Sequence, residues 1–75
     1  MSADKSVFLK KLGSYLKGVR EEKGITTTQM SRLMLMDSGN YTRIESGKTN
    51  PTAHTLKKFA AVLDMSLSEL LRNFD

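Results

Sequence analysis

The chain has 75 residues, no cysteine, a single histidine and a formal net charge of +4. A chain of this length forms one small domain with a marginal core, so residues 1–75 are predicted to be a single domain. Without cysteine and with one histidine, neither a disulfide nor a thiolate or histidine-rich metal site is expected, and no cofactor is predicted. The excess of basic over acidic residues favours a polyanionic partner.

The hydropathy pattern argues against two further classes of protein. The apolar runs are too short to span a membrane, so no membrane contact is expected. The first residues, MSADKSVFLKKLG, lack the apolar segment and cleavage site of a secretory signal, which favours a cytoplasmic location. All the periodicity is helical, and this predicts an all-α fold.

The first predicted helix runs from about Asp4 to Lys23. Asp4 or Ser6 could cap its start, and Gly24 suits the left-handed position that follows a helix. Two glycines inside it, Gly13 and Gly18, are each expected to weaken it by about 1 kcal/mol relative to alanine. Its apolar stripe, with steps of three and four residues, consists of Phe8, Leu9, Leu12, Tyr15, Leu16 and Val19.

Two short helices are predicted next, joined by a tight turn. Thr26 or Thr27 caps the second helix, and Asp37 caps the third. Gly47 ends the third helix. The residues expected to point inward from this pair are Met30, Leu33, Met34, Tyr41 and Ile44.

Two more helices complete the predicted chain. Pro51 and Thr52 open the fourth, and Ser66 with Glu69 has the spacing of a capping box for the fifth. Their inward residues are predicted to be Leu56, Phe59, Ala60, Val62, Leu63, Leu67, Leu70 and Leu71. Connections of a few residues suit a compact bundle, so five helices around one core are expected.

Several sequence motifs resemble the helix-turn-helix domain of phage repressor and Cro proteins, the XRE family. The matching stretches are VREEKGI, NYTRIESGKTNP and LKKFAAVLDMSLSELL, and the resemblance as a whole covers roughly Leu12 to Leu71. The resemblance implies a lambda-repressor-like bundle of five helices, with the helix-turn-helix at helices 2 and 3 and its core motif at about residues 24–51. It also implies sequence-specific binding of double-stranded DNA, usually by a homodimer on an inverted repeat.

Two positions depart from the family pattern. At the start of the second helix the family usually has glutamine, and this chain has Thr27, a shorter hydroxyl donor. In the turn between the paired helices the family usually has glycine with a positive φ, and this chain has Leu35. A bulky residue in that conformation costs about 1–2 kcal/mol, so either strain is accepted or the turn differs.

The third helix carries the residues expected to read DNA, because in this fold its N-terminal part enters the major groove. With Asp37 as the cap, the residues opposite Tyr41 and Ile44 are Ser38, Gly39, Thr42 and Arg43. The guanidinium of Arg43 matches the O6 and N7 acceptors of guanine and is the best candidate for base reading.

The neighbours of Arg43 are expected to contribute less to base reading. Ser38 can contact a base or a phosphate, and Gly39 permits close approach but reads little. Thr42 offers a methyl group to thymine and a hydroxyl to phosphate, and Asn40 could reach adenine or the backbone. The alternative is that all these side chains are ordinary solvated surface positions.

Phosphate contacts are expected on both sides of the third helix. Thr27 and Thr28 lie at the start of the second helix, whose exposed amides and positive dipole end favour an anion. Lys48 and Asn50 follow the third helix and resemble family positions that bind the DNA backbone. For Lys48 the alternative is a solvated loop lysine.

Arg20 and Glu45 are interpreted as a pair, because the family resemblance places the first helix behind the third. An arginine suits two-point contact with a carboxylate, and the pair would orient the reading helix. If the pair is buried, removing one partner costs about 3–5 kcal/mol. If it is exposed, the cost falls below about 1 kcal/mol.

Among classes of function, an enzyme is disfavoured because His54 has no paired nucleophile at a fixed spacing and the core is too small to enclose a substrate. The leading hypothesis is a transcriptional regulator, either a repressor or a small autoregulated controller. The alternative is an antitoxin or adaptor whose bundle mainly binds a partner protein. A dimer could use the apolar residues left at the chain ends, which are Val7, Leu71 and Phe74.

Overall fold

The computed structural model describes residues 2–75 and contains five α-helices in this range. They are α1 (Ser2–Glu22), α2 (Thr27–Leu33), α3 (Ser38–Glu45), α4 (Ala53–Val62) and α5 (Leu67–Leu71). The predicted all-α architecture, with the helix-turn-helix at the second and third helices, is confirmed for this part of the chain. No helix formed by residues 2–75 has the length and apolar character needed to cross a membrane.

The start of α1 differs from the prediction. The helix already includes Ser2, so Asp4 and Ser6 lie inside it and neither is its cap. Ala3 and Lys5 are good helix formers, and nothing in this stretch stops a helix from extending towards the N-terminus. Asp4 lies in the first turn instead, where a carboxylate interacts favourably with the positive end of the helix dipole.

The caps of the other four helices follow the predicted chemistry. Thr26, rather than Thr27, caps α2 and forms a capping box with Gln29. Asp37 caps α3 as predicted. Thr52 caps α4. Ser66 caps α5 and forms the predicted capping box with Glu69, the third residue of that helix. In that box the amide of Ser66 donates to the Glu69 carboxylate at 2.8 Å, and the Ser66 hydroxyl accepts from the amide of Glu69 at 3.1 Å. The bond from the Ser66 amide lowers the pKa of the Glu69 carboxyl.

Four helices end in the same way, with a left-handed residue and two hydrogen bonds back into the last turn. At the end of α2, the amide of Leu35 donates to the carbonyl of Arg32 at 3.0 Å, and the amide of Met36 donates to that of Ser31 at 2.8 Å. Leu35 has a positive φ of 56°, so of the two alternatives left open by the sequence the strained turn is the one present. The left-handed residues at the four ends are Gly24, Leu35, Gly47 and Asp64.

The buried core takes residues from all five helices, but two apolar predictions are wrong. The side chain of Leu33 is 58% exposed and that of Phe8 is 47% exposed. On the short α2, burial is centred on Met30, Ser31 and Met34, and Leu33 lies about 100° of helical rotation from that centre. The core cluster consists of Leu12, Leu16, Met30, Met34, Tyr41, Ile44, Phe59, Ala60, Leu63 and Leu70.

The backbones of α1 and α3 approach each other closely at Gly13. A Cβ atom on Gly13 would lie 2.4 Å from the carbonyl oxygen of Ile44 and 2.5 Å from that of Glu45. No side chain fits there unless one of the two helices moves. Gly13 therefore does more than weaken its own helix, because it allows α3 to lie directly against α1.

Candidate nucleic-acid interface

Helix α3 has one buried face and one exposed face. Tyr41 and Ile44, at 1% and 5% exposure, point into the core. The residues on the opposite side are exposed, except for the half-buried Gly39, and they are Ser38, Asn40, Thr42 and Arg43. The structure thus brings together on one surface all the residues predicted to read bases.

The N-terminal end of α3 is held by its cap. The carboxylate of Asp37 accepts hydrogen bonds from the amides of Gly39 at 3.0 Å and Asn40 at 3.3 Å. These amides have no partner inside a helix, so the cap satisfies two donors that would otherwise bond to water. The first turn of α3 is consequently fixed at the end that carries the polar surface.

Two side-chain hydrogen bonds organise the exposed face of α3. Nη1 of Arg43 donates to Oδ1 of Asn40 at 2.8 Å, one helical turn away. Oγ1 of Thr42 donates to the carbonyl of Gly39 at 3.0 Å. The exposed groups at this surface are thus partly oriented in the free protein.

The buried face of α3 is anchored by an ion pair with α1. Nε of Arg20 donates to Oε2 of Glu45 at 2.7 Å, and Nη2 donates to Oε1 at 3.1 Å. The two side chains are 7% and 8% exposed. The predicted contact between them is therefore present in its buried, two-point form, which is the strong geometry for arginine and carboxylate.

A third side chain completes this buried network. The hydroxyl of Tyr41 donates to Oε2 of Glu45, so that one carboxylate oxygen accepts from both Tyr41 and Arg20. The bond to Glu45 raises the pKa of Arg20. Burial, and then the bond to Glu45, raises the pKa of Tyr41 far above its ordinary value. Both groups therefore keep their protons in the folded protein well into the alkaline range.

Arg20 also reaches the segment that leads into α2. Its Nη1 donates to the backbone carbonyl of Ile25 at 2.6 Å. Since α2 begins two residues later, one guanidinium contacts both α3 and the entry to α2. This guanidinium therefore fixes the start of α2 relative to the end of α3.

The predicted phosphate-binding residues lie at two places that flank α3 in the chain. Thr27, half-buried, and Thr28, exposed, occupy the first turn of α2. Lys48 and Asn50 are exposed in the segment between α3 and α4. The amide of Lys48 donates to the carbonyl of Arg43 at 2.9 Å, so this segment starts in a fixed position relative to the exposed face.

The apolar residues near the chain ends are distributed differently from the prediction. Val7 is exposed, at 58%, but Leu71 and Phe74 pack against the core. The ring centroid of Phe74 lies 5.3 Å from that of Tyr15 and 5.7 Å from that of Phe8. The apolar surface left over at this end is therefore formed by Val7 and Phe8.

Three features of the site went beyond the sequence prediction. Gly13, the hydroxyl of Tyr41 and the carbonyl of Ile25 all help to position α3, and none was expected to. For Gly13 a signal was available, because it lies within the apolar stripe between Leu9 and Leu16, where a core side chain would be expected. The other two contacts join residues only four and five positions apart, but they depend on side-chain geometry that the sequence does not show.

Comparison with known proteins supports the same assignment. The helix-turn-helix family HTH_3 matches residues 16–70. The ImmF control region 10 kDa protein of Bacillus phage phi105 is 33% identical over 61 residues, which cover 81% of this chain and 68% of the phage protein.

Solved structures show the same arrangement of helices. The restriction-modification controller protein C.AhdI from Aeromonas hydrophila superimposes with a TM-score of 0.80 at 28% identity, covering 85% of this chain and 97% of the controller. An HTH_3 family transcriptional regulator from Vibrio cholerae also gives a TM-score of 0.80 at 28% identity, covering 92% of this chain and 39% of the regulator. The chain thus belongs to the HTH_3 (XRE-type) helix-turn-helix family and is a DNA-binding transcriptional regulator.

Proposed function

We propose that residues 1–75 act as one DNA-binding domain that inserts the exposed face of α3 into the major groove of double-stranded DNA. The observation that carries this proposal is the two-sided character of α3. Its inner face is fixed by Tyr41, Ile44 and the buried Glu45, while its outer face presents polar side chains to solvent. A helix with this arrangement can meet base edges without giving up any core contact.

Most of the affinity is expected to come from the DNA backbone. The hydroxyls of Thr27 and Thr28 and the side chains of Lys48 and Asn50 are the proposed phosphate ligands. Such contacts position the protein and make binding depend on salt, whereas Arg43 and its neighbours supply sequence preference. The net charge of +4 agrees with a polyanionic ligand.

A homodimer on an inverted repeat is part of the proposal, for a geometric reason. With eight residues, α3 is about 12 Å long and spans only three or four base pairs. Two copies reading half-sites about one helical turn apart would double that number. The exposed Val7 and Phe8 offer apolar surface for the contact. Light scattering that detected only monomer, both free and on DNA, would exclude the dimer.

The direct test is a gel-shift titration on inverted repeats near the protein's own promoter, which would be the target of an autoregulated controller or repressor. Arg43→Ala should lower the preference for the specific site over random DNA by about 10- to 100-fold. Arg72→Ala removes the same charge from an exposed residue outside α3 and serves as the control. If both variants lost affinity equally on all sequences, Arg43 would not be a base-reading residue.

Salt dependence separates the proposed phosphate contacts from base reading. The affinity should fall steeply as the salt concentration rises. Lys48→Ala should reduce the slope of the logarithm of the binding constant against the logarithm of the salt concentration by about one, without changing the preferred sequence. An affinity independent of salt would contradict the proposed phosphate contacts. A reporter gene placed behind the bound site, in a host that expresses the protein in its cytoplasm, then distinguishes repression from activation.

A second candidate function is an antitoxin or adaptor that binds a partner protein, and one observation favours it. A shallow, mostly apolar groove of about 450 Å³ is lined by Gly24, Ile25, Gln29, Arg32 and Leu33. Leu33 is exposed there although it is large and apolar. Co-purification of a small partner encoded next to this gene, lost in Leu33→Asp but kept in Arg43→Ala, would support this role.

A further inference from the structure

The hydrogen bond between Arg43 and Asn40 determines which atom of the amide faces the guanidinium. All polar hydrogens of arginine are donors, so the group that accepts from Nη1 at 2.8 Å must be the carbonyl oxygen of Asn40. The amide nitrogen therefore lies on the other side of the Asn40 side chain. Both residues are exposed, so this arrangement exists at the surface before any DNA is bound.

Apart from the second lone pair of the Asn40 oxygen, the groups that this pair leaves available are donors. With Nη1 engaged, Arg43 still presents the edge formed by Nε and Nη2, which carries two parallel N–H bonds. Asn40 presents its NH₂ group. Two-point recognition of adenine by asparagine needs the carbonyl oxygen to accept from N6, and here that oxygen already accepts from a cation.

We propose, on the basis of the major-groove placement argued above, that Asn40 is a positioning residue for Arg43 and that the pair reads one guanine together. The free Nε–Nη2 edge donates to the guanine O6 and N7 acceptors. The NH₂ group of Asn40 donates to an adjacent acceptor, either a base or a phosphate oxygen. Adenine opposite Asn40 is disfavoured because the oxygen that would accept from its N6 is held by Arg43, and the other groups of the pair are donors.

Positioning matters because a free arginine side chain has many rotamers. Ordering it on DNA costs conformational entropy, and a bond present beforehand reduces that cost. The backbone of Asn40 is itself held by the Asp37 cap. The guanidinium is thus connected through Asn40 to the fixed first turn of α3.

The test is a selection from random double-stranded DNA with the full chain and its Asn40→Ala, Arg43→Ala and double variants. The wild type should enrich guanine at one position of each half-site. Asn40→Ala should lower the preference at that same position by about 10-fold and leave the other positions unchanged. The double variant should be no worse there than Arg43→Ala alone, since the two residues act as one unit. Asn73→Ala, at an exposed residue near the C-terminus, is the matched control.

A second measurement uses the unmodified protein and so does not depend on the folding of a variant. Replacing the selected guanine by 7-deazaguanine removes the N7 acceptor and should weaken wild-type binding by about 10-fold. The same replacement should have no effect on Arg43→Ala.

Three outcomes would overturn the inference. They are enrichment of adenine in place of guanine, loss of preference at a different position in Asn40→Ala, and strictly additive effects in the double variant. Each of these still requires salt-dependent binding to DNA, so it leaves the proposed function standing. Absence of binding to any DNA would remove both the proposed function and the inference.

Discussion

The two faces of α3 differ in how they use their polar groups. On the inner face, Glu45 accepts three hydrogen bonds from Arg20 and Tyr41, and all three side chains are nearly inaccessible to solvent. On the outer face, Asn40 and Arg43 share a single bond and are exposed. The inner groups depend on one another, because a buried donor or acceptor cannot turn to water when its partner is lost. Stability therefore resides in the inner face, and the outer face can serve DNA recognition at little cost to folding.

The sharpest test of this difference removes the carboxylate of the buried pair. Glu45→Ala should lower the free energy of unfolding by about 3–5 kcal/mol, because the Arg20 cation would stay buried without its partner. The measurement is chemical denaturation followed by circular dichroism. Asp75→Ala is the control, since Asp75 pairs with Lys11 at 3.9 Å with side chains 70% and 62% exposed, and its loss should be undetectable. Equal effects of the two substitutions would contradict the importance of burial.

The next test concerns the close approach of α1 and α3. Gly13→Ala should destabilise the fold by about 2 kcal/mol, because the new methyl group meets two backbone carbonyls of α3 and neither can move alone. Gly18→Ala has open space around its Cβ and should instead stabilise α1 by up to about 1 kcal/mol. Thermal unfolding of both variants measures the contrast. A stabilising Gly13→Ala would show that the two helices are not held at this distance.

A titration at high pH tests the buried tyrosine. In the unfolded chain the Tyr41 hydroxyl loses its proton near pH 10. Because the pKa of Tyr41 is raised in the folded protein, the folded chain keeps this proton at that pH. Below pH 10 the contribution is fully present, and as pH rises above 10 the free energy of unfolding should fall. Tyr41→Phe should be less stable than the wild type at neutral pH, and its stability should fall less steeply above pH 10. Parallel slopes in urea titrations of the two proteins would refute the assignment.

The smallest expected effect is at the exposed turn that precedes α3. Leu35 has a positive φ and a side chain that is 88% exposed, so it bears strain without contributing burial. Leu35→Gly should raise the free energy of unfolding by about 1 kcal/mol, because glycine adopts this conformation without a steric penalty. Asp64→Gly is the comparison at another left-handed position and should gain less, since aspartate tolerates that conformation better. Calorimetry that showed no gain for Leu35→Gly would mean that the turn is not strained.

The exposed face of α3 was largely predictable from the sequence, whereas its support was predictable only at the pair of Arg20 and Glu45. The cap at Asp37 fixes the rotation of α3, and rotation alone decides that Arg43 faces away from Ile44. The hydrogen bond between Arg43 and Asn40 is also local, because the two residues are three positions apart on one helix. It could be identified only from the side-chain geometry. By contrast, the close approach of Gly13 to the carbonyls of Ile44 and Glu45 joins residues more than 30 positions apart, and no local spacing encodes it.

The sequence by itself determined where most helices begin and end, because caps and left-handed ends are made of hydrogen bonds between residues two to five apart. It also indicated which side of each long helix is apolar. The tertiary structure decided which apolar residues are covered, leaving Leu33 and Phe8 exposed, and why Gly13 must be small. Those outcomes depend on what lies opposite a residue, and the residues opposite come from distant parts of the chain. For this reason the proposed reading helix could be located from its own residues, while its close packing on Gly13 became visible only in the fold.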